Sequence, residues 1–293
     1  MRPRTEEQWV ERLTRIWPKG SRVRLGPGDD AAVTMAPTRG RDLVSKVDAV
    51  VEEVHFQTSD RPSAVGHKAL ARAISDFAAM GARPRHALIT VGFPIGEGAW
   101  PWVEGVYSGM SRLAAQYTIG LVGGELTRSA VKWINVTLLG DVACGKAVTR
   151  SGGLPGDVLI VTGRLGGSFP KRHLSFIPRL EEGCWLASAG ARAMMDLSDG
   201  LGKDLPRLAV ASGCTYRIKT KSLPRHRGCS IEQAINDGED YELLAAIPPK
   251  RVKIFLKKWP FSVPLTVIGE LLPASQAPEA DGVRFSGWDH CSE

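Results

Sequence analysis

Apolar residues recur at Val65, Ala69, Ala73 and Phe77 after Pro62-Ser63, with Leu70 and Ile74 beside them. That spacing predicts a helix ending near Gly81. Before it, Arg41–Val51 (RDLVSKVDAVV) predicts a strand; His86–Pro94 and Trp133–Val142 do the same through their β-branched content. Between these two, Trp102–Tyr117 has helical character, and Gly120–Gly124 predicts a turn. Arg150–Asp157 (RSGGLPGD) is the densest turn chemistry in the chain, and a strand, Val158–Val161, follows it. Further on, the pattern predicts a helix over Ser198–Ser212 and strands around Tyr241–Ile247 and Pro264–Leu271. Helices and strands alternate in both halves. The expectation is therefore an α/β chain of two layered α+β units, residues 1–142 and 143–293.

Composition narrows the class. The chain has 293 residues, 43% hydrophobic and 24% charged, ordinary globular values that argue against wholesale disorder. No apolar run approaches ~18 residues, so no spanning helix is expected. The start, MRPRTEEQWVERL, has no apolar stretch behind its basic residues and does not read as a secretory signal. Five scattered cysteines without a C-x-x-C argue against a disulfide framework or zinc site and fit the cytoplasm. Lys and Arg number 38 against 31 Asp and Glu, a net charge of +7, which suits either a nucleic-acid footprint or phosphate chemistry.

Two nucleotide motifs appear in degraded form. Gly26–Ala31 fits G-x-G-x-x-A, but Pro37 follows too soon for the helix that fingerprint must open. Gly140–Ala147 approaches a P-loop but has Ala147 where Ser or Thr should hold magnesium, and it reads as the end of a strand. The carboxylates are more informative. Asp29-Asp30, Asp48, Asp76, Glu125, Asp196, Asp199 and Glu239-Asp240 all stand in short patches, several beside glycines. Each has a bland explanation, such as an Asp76–Arg72 helix pair or Ser198 as a helix cap. Together they predict a shared cage for magnesium, which takes oxygen ligands and bridges to substrate phosphates. The basic runs Lys171–His173 and Arg225–Arg227 read as solvated loops, and most tryptophans as core.

Read in order, GPGDDAAV (Gly26–Val33), VDAVVEEVHF (Val47–Phe56), HKALARAISDFAAMGA (His67–Ala82), GGELTR (Gly123–Arg128), AVTRSGGLPGD (Ala147–Asp157), DLSDGL (Asp196–Leu201), NDGEDYELL (Asn236–Leu244) and GWDH (Gly287–His290) form one series. The series resembles the thiamine-monophosphate kinases, in the superfamily that also holds aminoimidazole ribonucleotide synthetase. The resemblance implies the two-domain fold of that synthetase, a homodimer formed through the N-terminal sheets, and no Walker motif. It implies transfer of the γ-phosphoryl of ATP to thiamine monophosphate by in-line attack, with neither nucleic acid nor membrane as partner. On it, Asp30, Asp48, Asp76, Glu125, Asp196 and Asp199 would hold several magnesium ions. Gly124, Glu125, Arg150 and Ser198 would contact nucleotide, with Tyr107 stacking nearby, and His55, Glu239 and Trp288 would meet the thiamine end. Asp30, Arg150 and Asp199 would be catalytic. Three positions depart from the pattern: Glu125-Leu126 for Asp-Thr, Val47 for a hydroxyl residue, and Glu53 for a glycine beside His55. Rival readings are a sister ligase of the synthetase type, a binding-only paralogue with a weakened metal site, and nucleic-acid binding resting on the +7 alone.

Overall fold

The computed structural model describes residues 23–25, 29–36, 38–96 and 98–288. Gly26, Pro27 and Gly28 of the first motif and residues 289–293, with His290 and Cys291, lie outside them. The first sheet contains β1 (Val23–Leu25), β2 (Ala32–Met35), β3 (Arg41–Val51), β4 (Arg83–Phe93), β5 (Gly120–Arg128) and β6 (Trp133–Ala143), in the order β1-β2-β3-β6-β4-β5. Helix α1 (Pro62–Ala79) links β3 to β4, and α2 (Ala99–Tyr117) links β4 to β5. Among the described strands only the β4–β5 pair runs parallel, because a helical crossover lets two parallel strands be neighbours.

The second sheet contains β7 (Val158–Thr162), β8 (Ala193–Asp196), β9 (Cys214–Ile218), β10 (Leu243–Ile247) and β11 (Leu265–Pro273), ordered β8-β10-β7-β11-β9. Around it lie α3 (Leu180–Ala189), α4 (Leu201–Ala211), α5 (Ile231–Asn236) and α6 (Val252–Lys258). The architecture is thus mixed α/β with two sheets. Among the described residues no helix is long and apolar enough to cross a membrane.

Alternation along β3 sends Asp42, Val44, Lys46, Asp48 and Val50 to one face. Val44 and Val50 are buried there, whereas Val47, on the opposite face, is 58% exposed. Helix α1 covers the buried face. Its alanine-rich sequence is buried over most of its surface, as expected of a helix packed on several sides. Gly66 lets α2 come close, since a Cβ there would lie 2.0 Å from the Val106 carbonyl oxygen. On its other side α1 packs against α3 and β8. One apolar core therefore runs from Val136 and Phe77 through Met80 to Met194 and Ala245. A second core lies on the far face of the second sheet, under α4.

Two expectations are corrected. Gly120–Gly124 is the first half of strand β5 rather than a turn, because the parallel ladder to β4 overrides the weak strand preference of glycine. Helix α4 starts at Leu201 after Gly200, so Ser198 and Asp199 stay in a loop and Ser198 is not its cap.

Candidate active site

Helix α1 organises the site. Lys68, Arg72, Ser75 and Asp76 fall at positions i, i+4, i+7 and i+8, one face of a helix. Each touches a different part of the chain. Asp76 is buried and forms, with Asp30 and Asp196, a cluster whose ligand oxygens lie within 4.8 Å of one another. Asp30 comes from the turn before β2, and Asp196 ends β8. The cluster thus joins the two sheets.

Like charges in a buried place oppose ionisation. Burial, with the nearby Asp30 charge, pushes the Asp196 carboxyl up to about 7, although Ser75 Oγ donates to it at 2.6 Å. Asp76 is raised well above the carboxylate range by burial, against the pull of Lys46 and with Asp196 and Asp48 adding to the rise. Asp29 rises to about 6 for the same two reasons, burial first and then Asp30. Three cationic side chains answer these charges. Arg150 spans both Asp30 oxygens, Nη2 at 3.0 Å and Nε at 3.2 Å. Lys46 Nζ lies 3.0 Å from Asp76, and Arg72 Nη2 lies 3.2 Å from Asp48. The helix pair Asp76–Arg72 conceivable from sequence does not form; each residue pairs with β3 instead. The donor set is hard oxygen, short of positive charge and nearly dry, which fits magnesium.

Asp199 stands on the loop before α4. Its carboxylate accepts from Arg207 at 2.6 Å, with Lys203 at 3.7 Å, and its backbone N–H donates to the buried Asp204. Burial first, then the Asp199 charge, raises Asp204 well above its ordinary range. The Trp288 N–H donates to the Asp199 carbonyl at 3.1 Å, and Lys203 Nζ donates to the Trp288 carbonyl at 2.6 Å. The half-exposed Trp288 is thereby tied beside Asp199. The Ser198 carbonyl accepts from the Glu239 N–H at 2.7 Å, so the DLSDGL and GEDYEL loops meet through their backbones.

At the other end of α1, Lys68 is fully buried and draws three groups together. Its ammonium donates to the His55 carbonyl at 2.5 Å and to Glu239 Oε2 at 2.7 Å, and lies 2.7 Å from His173 Nδ1. His173 Nε2 donates to the Pro170 carbonyl, and its Nδ1 lies 2.9 Å from Glu239 Oε2. Burial lowers Lys68 to about 8, with Glu239 resisting. Burial also works against the Glu239 carboxylate, but His173 and Lys68 together hold it down at about 2. His55 Nδ1 accepts from the Val51 N–H. Glu53, two residues before it, has φ +63, a left-handed conformation that favours glycine; its carboxylate accepts from Thr58 Oγ1 at 2.7 Å and Thr58 N–H at 3.2 Å.

The structure brings Asp30, Asp76, Asp196 and Arg150 together, sets Asp48 beside them through Lys46 and Arg72, and gathers His55 and Glu239 around Lys68. Within one chain it does not bring Gly124, Glu125 or Tyr107 to them. Strands β6 and β4 separate β5 from β3, about 14 Å at ~4.8 Å per strand. Asp48, Val136, Ile89 and Gly124 form one cross-sheet row, so alternation places Glu125 on the opposite, open face with Val47. Gly124 packs so close to β4 that a Cβ would lie 2.0 Å from the Ile89 oxygen. Tyr107 borders an apolar cavity of about 670 Å³ with Leu70, Ile89, Met110 and Leu121. Sequence reasoning missed Lys46, Lys68, Arg72 and His173. The run Lys171–His173 is not a solvated face: His173 is 1% exposed, and Arg172 lies 3.3 Å from Asp240. The signal available for Lys68 is its spacing, one and two turns before Arg72 and Asp76 on the same face of the helix.

Comparison with known proteins identifies the family. Residues 28–142 match the family described as AIR synthase related protein, N-terminal domain. A thiamine-monophosphate kinase of Rhodopirellula baltica is 34% identical over 85% of this chain and 84% of its own. That of Salmonella typhimurium is 33% identical over 90% and 87%. Among solved structures, AaThiL complexed with AMPPCP and TMP superposes with a TM-score of 0.85 at 29% identity, covering 99% of both chains. The thiamine-monophosphate kinase of Stenotrophomonas maltophilia gives 0.76 at 28% identity over 95% and 96%. With a relative above 30% identity spanning most of both sequences, the chain belongs to the thiamine-monophosphate kinase family.

Proposed function

We propose that this chain transfers the γ-phosphoryl group of ATP to the phosphate of thiamine monophosphate, with magnesium held by Asp30, Asp76 and Asp196 and supported by Asp48 and Asp199. The observation that carries this reading is the buried cluster of three carboxylates joining the two sheets, in a chain whose relatives bear that activity in their names. The relative solved with AMPPCP and TMP supports the same pair of substrates.

Magnesium, when bound, supplies neutralisation of the phosphate charge that builds in the transition state. The chain's residues position. An oxygen of the substrate phosphate forms a bond to the γ-phosphorus as the bond to the β,γ-bridging oxygen breaks, and ADP leaves. The attacking oxygen is ionised at neutral pH, so no general base is required. Arg150 offers a planar fork that suits a phosphate, and Ser198 lies in the loop shared with Asp199. His55, Glu239 and Trp288 would receive the thiamine end. Rising 1.5 Å per residue, α1 sets Lys68 and Asp76 about 12 Å apart, so one rigid element spaces the organic end from the metal end.

Gly124, Glu125 and Tyr107 enter this scheme through a second copy of the chain. The open sheet face exposes Val47 and Leu88, and the β5 edge exposes Leu121, Val122 and Leu126. A homodimer that buries this surface would bring one β5 toward the other subunit's site, and the apolar cavity beside Tyr107 suits a purine ring. The test is direct: purified protein with ATP, magnesium and thiamine monophosphate should yield thiamine diphosphate and ADP. Absence of product across a magnesium series would refute the proposal.

A further inference from the structure

The carboxylate cage contains a cation of the protein's own. Lys46 stands on β3, an inner strand flanked by β2 and β6, and shares with Asp48 the face that α1 covers. Its ammonium lies 3.0 Å from Asp76 Oδ1 and also feels the charges of Asp48 and Asp196. The other two basic groups differ from it. Arg150 reaches the cage from the turn-rich segment between the sheets, and Arg72 is also committed to the Ala49 carbonyl at 2.9 Å. Lys46 Nζ thus stands directly against Asp76, one of the three clustered carboxylates.

We propose that the Lys46 ammonium is a resident cation of this cage, filling one cation position beside Asp76, so that the chain binds fewer divalent ions than its carboxylates could ligate. The inference rests on the reading of Asp30, Asp76 and Asp196 as metal ligands. A compact ammonium carries one charge, accepts no lone pair from water or phosphate, and cannot be exchanged. It therefore offsets the repulsion among Asp30, Asp76 and Asp196 before any metal arrives, and the pocket stays formed in metal-free protein. The open places in the cage are then left to ions that arrive with the nucleotide.

Manganese binding to the full-length protein, counted by electron paramagnetic resonance, tests this without reference to turnover. Lys46→Met should bind an additional manganese ion, or bind manganese at least about tenfold tighter, because a positive charge in contact with the Asp76 carboxylate is removed. Its melting temperature in chelator should fall below that of the wild type and recover with manganese. Equal manganese binding and equal metal-free stability in Lys46→Met and wild type would overturn the proposal. Should Lys46→Met fail to fold, lysine ε-15N NMR of the wild type decides. A protected ammonium signal, absent from Lys46→Arg, should persist in saturating magnesium, and its loss to solvent exchange on magnesium addition would overturn the proposal. Failure of the kinase reading shows separately, as the lack of thiamine diphosphate from wild-type protein.

Discussion

The Lys68–Glu239 pair gives the sharpest test of how the site is held. Lys68 is fully buried, and the Glu239 side chain is 22% exposed. Removing one partner from a buried pair costs about 3–5 kcal/mol, since the other charge is left uncompensated. Two observations place Lys68→Met at or just below the bottom of that range, near ~2–3 kcal/mol. Glu239 keeps His173 at 2.9 Å, and burial already opposes the Lys68 ammonium, lowering it to about 8. Glu239→Gln should cost a similar amount by stranding the lysine. The double variant Lys68→Met/Glu239→Gln removes both charges, so its loss should fall short of the sum by at least ~1.5 kcal/mol. Urea unfolding of all four proteins at pH 7, with shared m-values, measures the cycle. Additivity within ~0.5 kcal/mol would show that the two groups do not stabilise one another, and the account of α1 as the strut that gathers His55, Glu239 and His173 would fail. Below neutrality the sign is fixed as well. Glu239 is held down at about 2, so its contribution is complete above the ordinary glutamate range and is lost as pH falls toward 2; Lys68→Met should flatten that acid limb.

Metal-free protein should behave oppositely around the cage. Asp196 is raised to about 7, so its favourable contribution is complete below about pH 4 and is lost as pH rises through 7. Between pH 5 and 8 calorimetry in chelator should show stability falling, by up to about 2.5 kcal/mol from Asp196 alone. Magnesium should restore more stability at pH 8 than at pH 5, and a flat profile would contradict the burial argument. Asp30→Ala and Asp199→Ala should each lower kcat by at least ~100-fold with an unchanged circular dichroism spectrum; loss of folding instead would mark these carboxylates as structural. Leu88→Glu, on the open sheet face, should convert a dimer to monomers in sedimentation and lower activity, while a wild-type monomer would refute the two-copy site.

Much of the architecture is legible in local patterns. The apolar spacing after Pro62 marks α1, and the Val-rich run at Arg41–Val51 gives β3 with the bounds the structure shows. The boundaries of α4 and the nature of Gly120–Gly124 were not legible, because loop geometry and ladder partners decide them. The ordered acidic motifs point to phosphoryl chemistry and to this family, since residue type and order survive when surroundings change. Which carboxylates meet is another matter. Asp30, Asp76 and Asp196 lie far apart in the chain, and only the packing of α1 against both sheets brings their oxygens within 4.8 Å. The same packing buries Lys68 and His173, 105 residues apart, beside Glu239. Strand order separates Glu125 from Asp48, although the sequence presents them as equal candidates. Periodicity determines which face a residue takes; only burial of the whole apolar surface decides what that face meets.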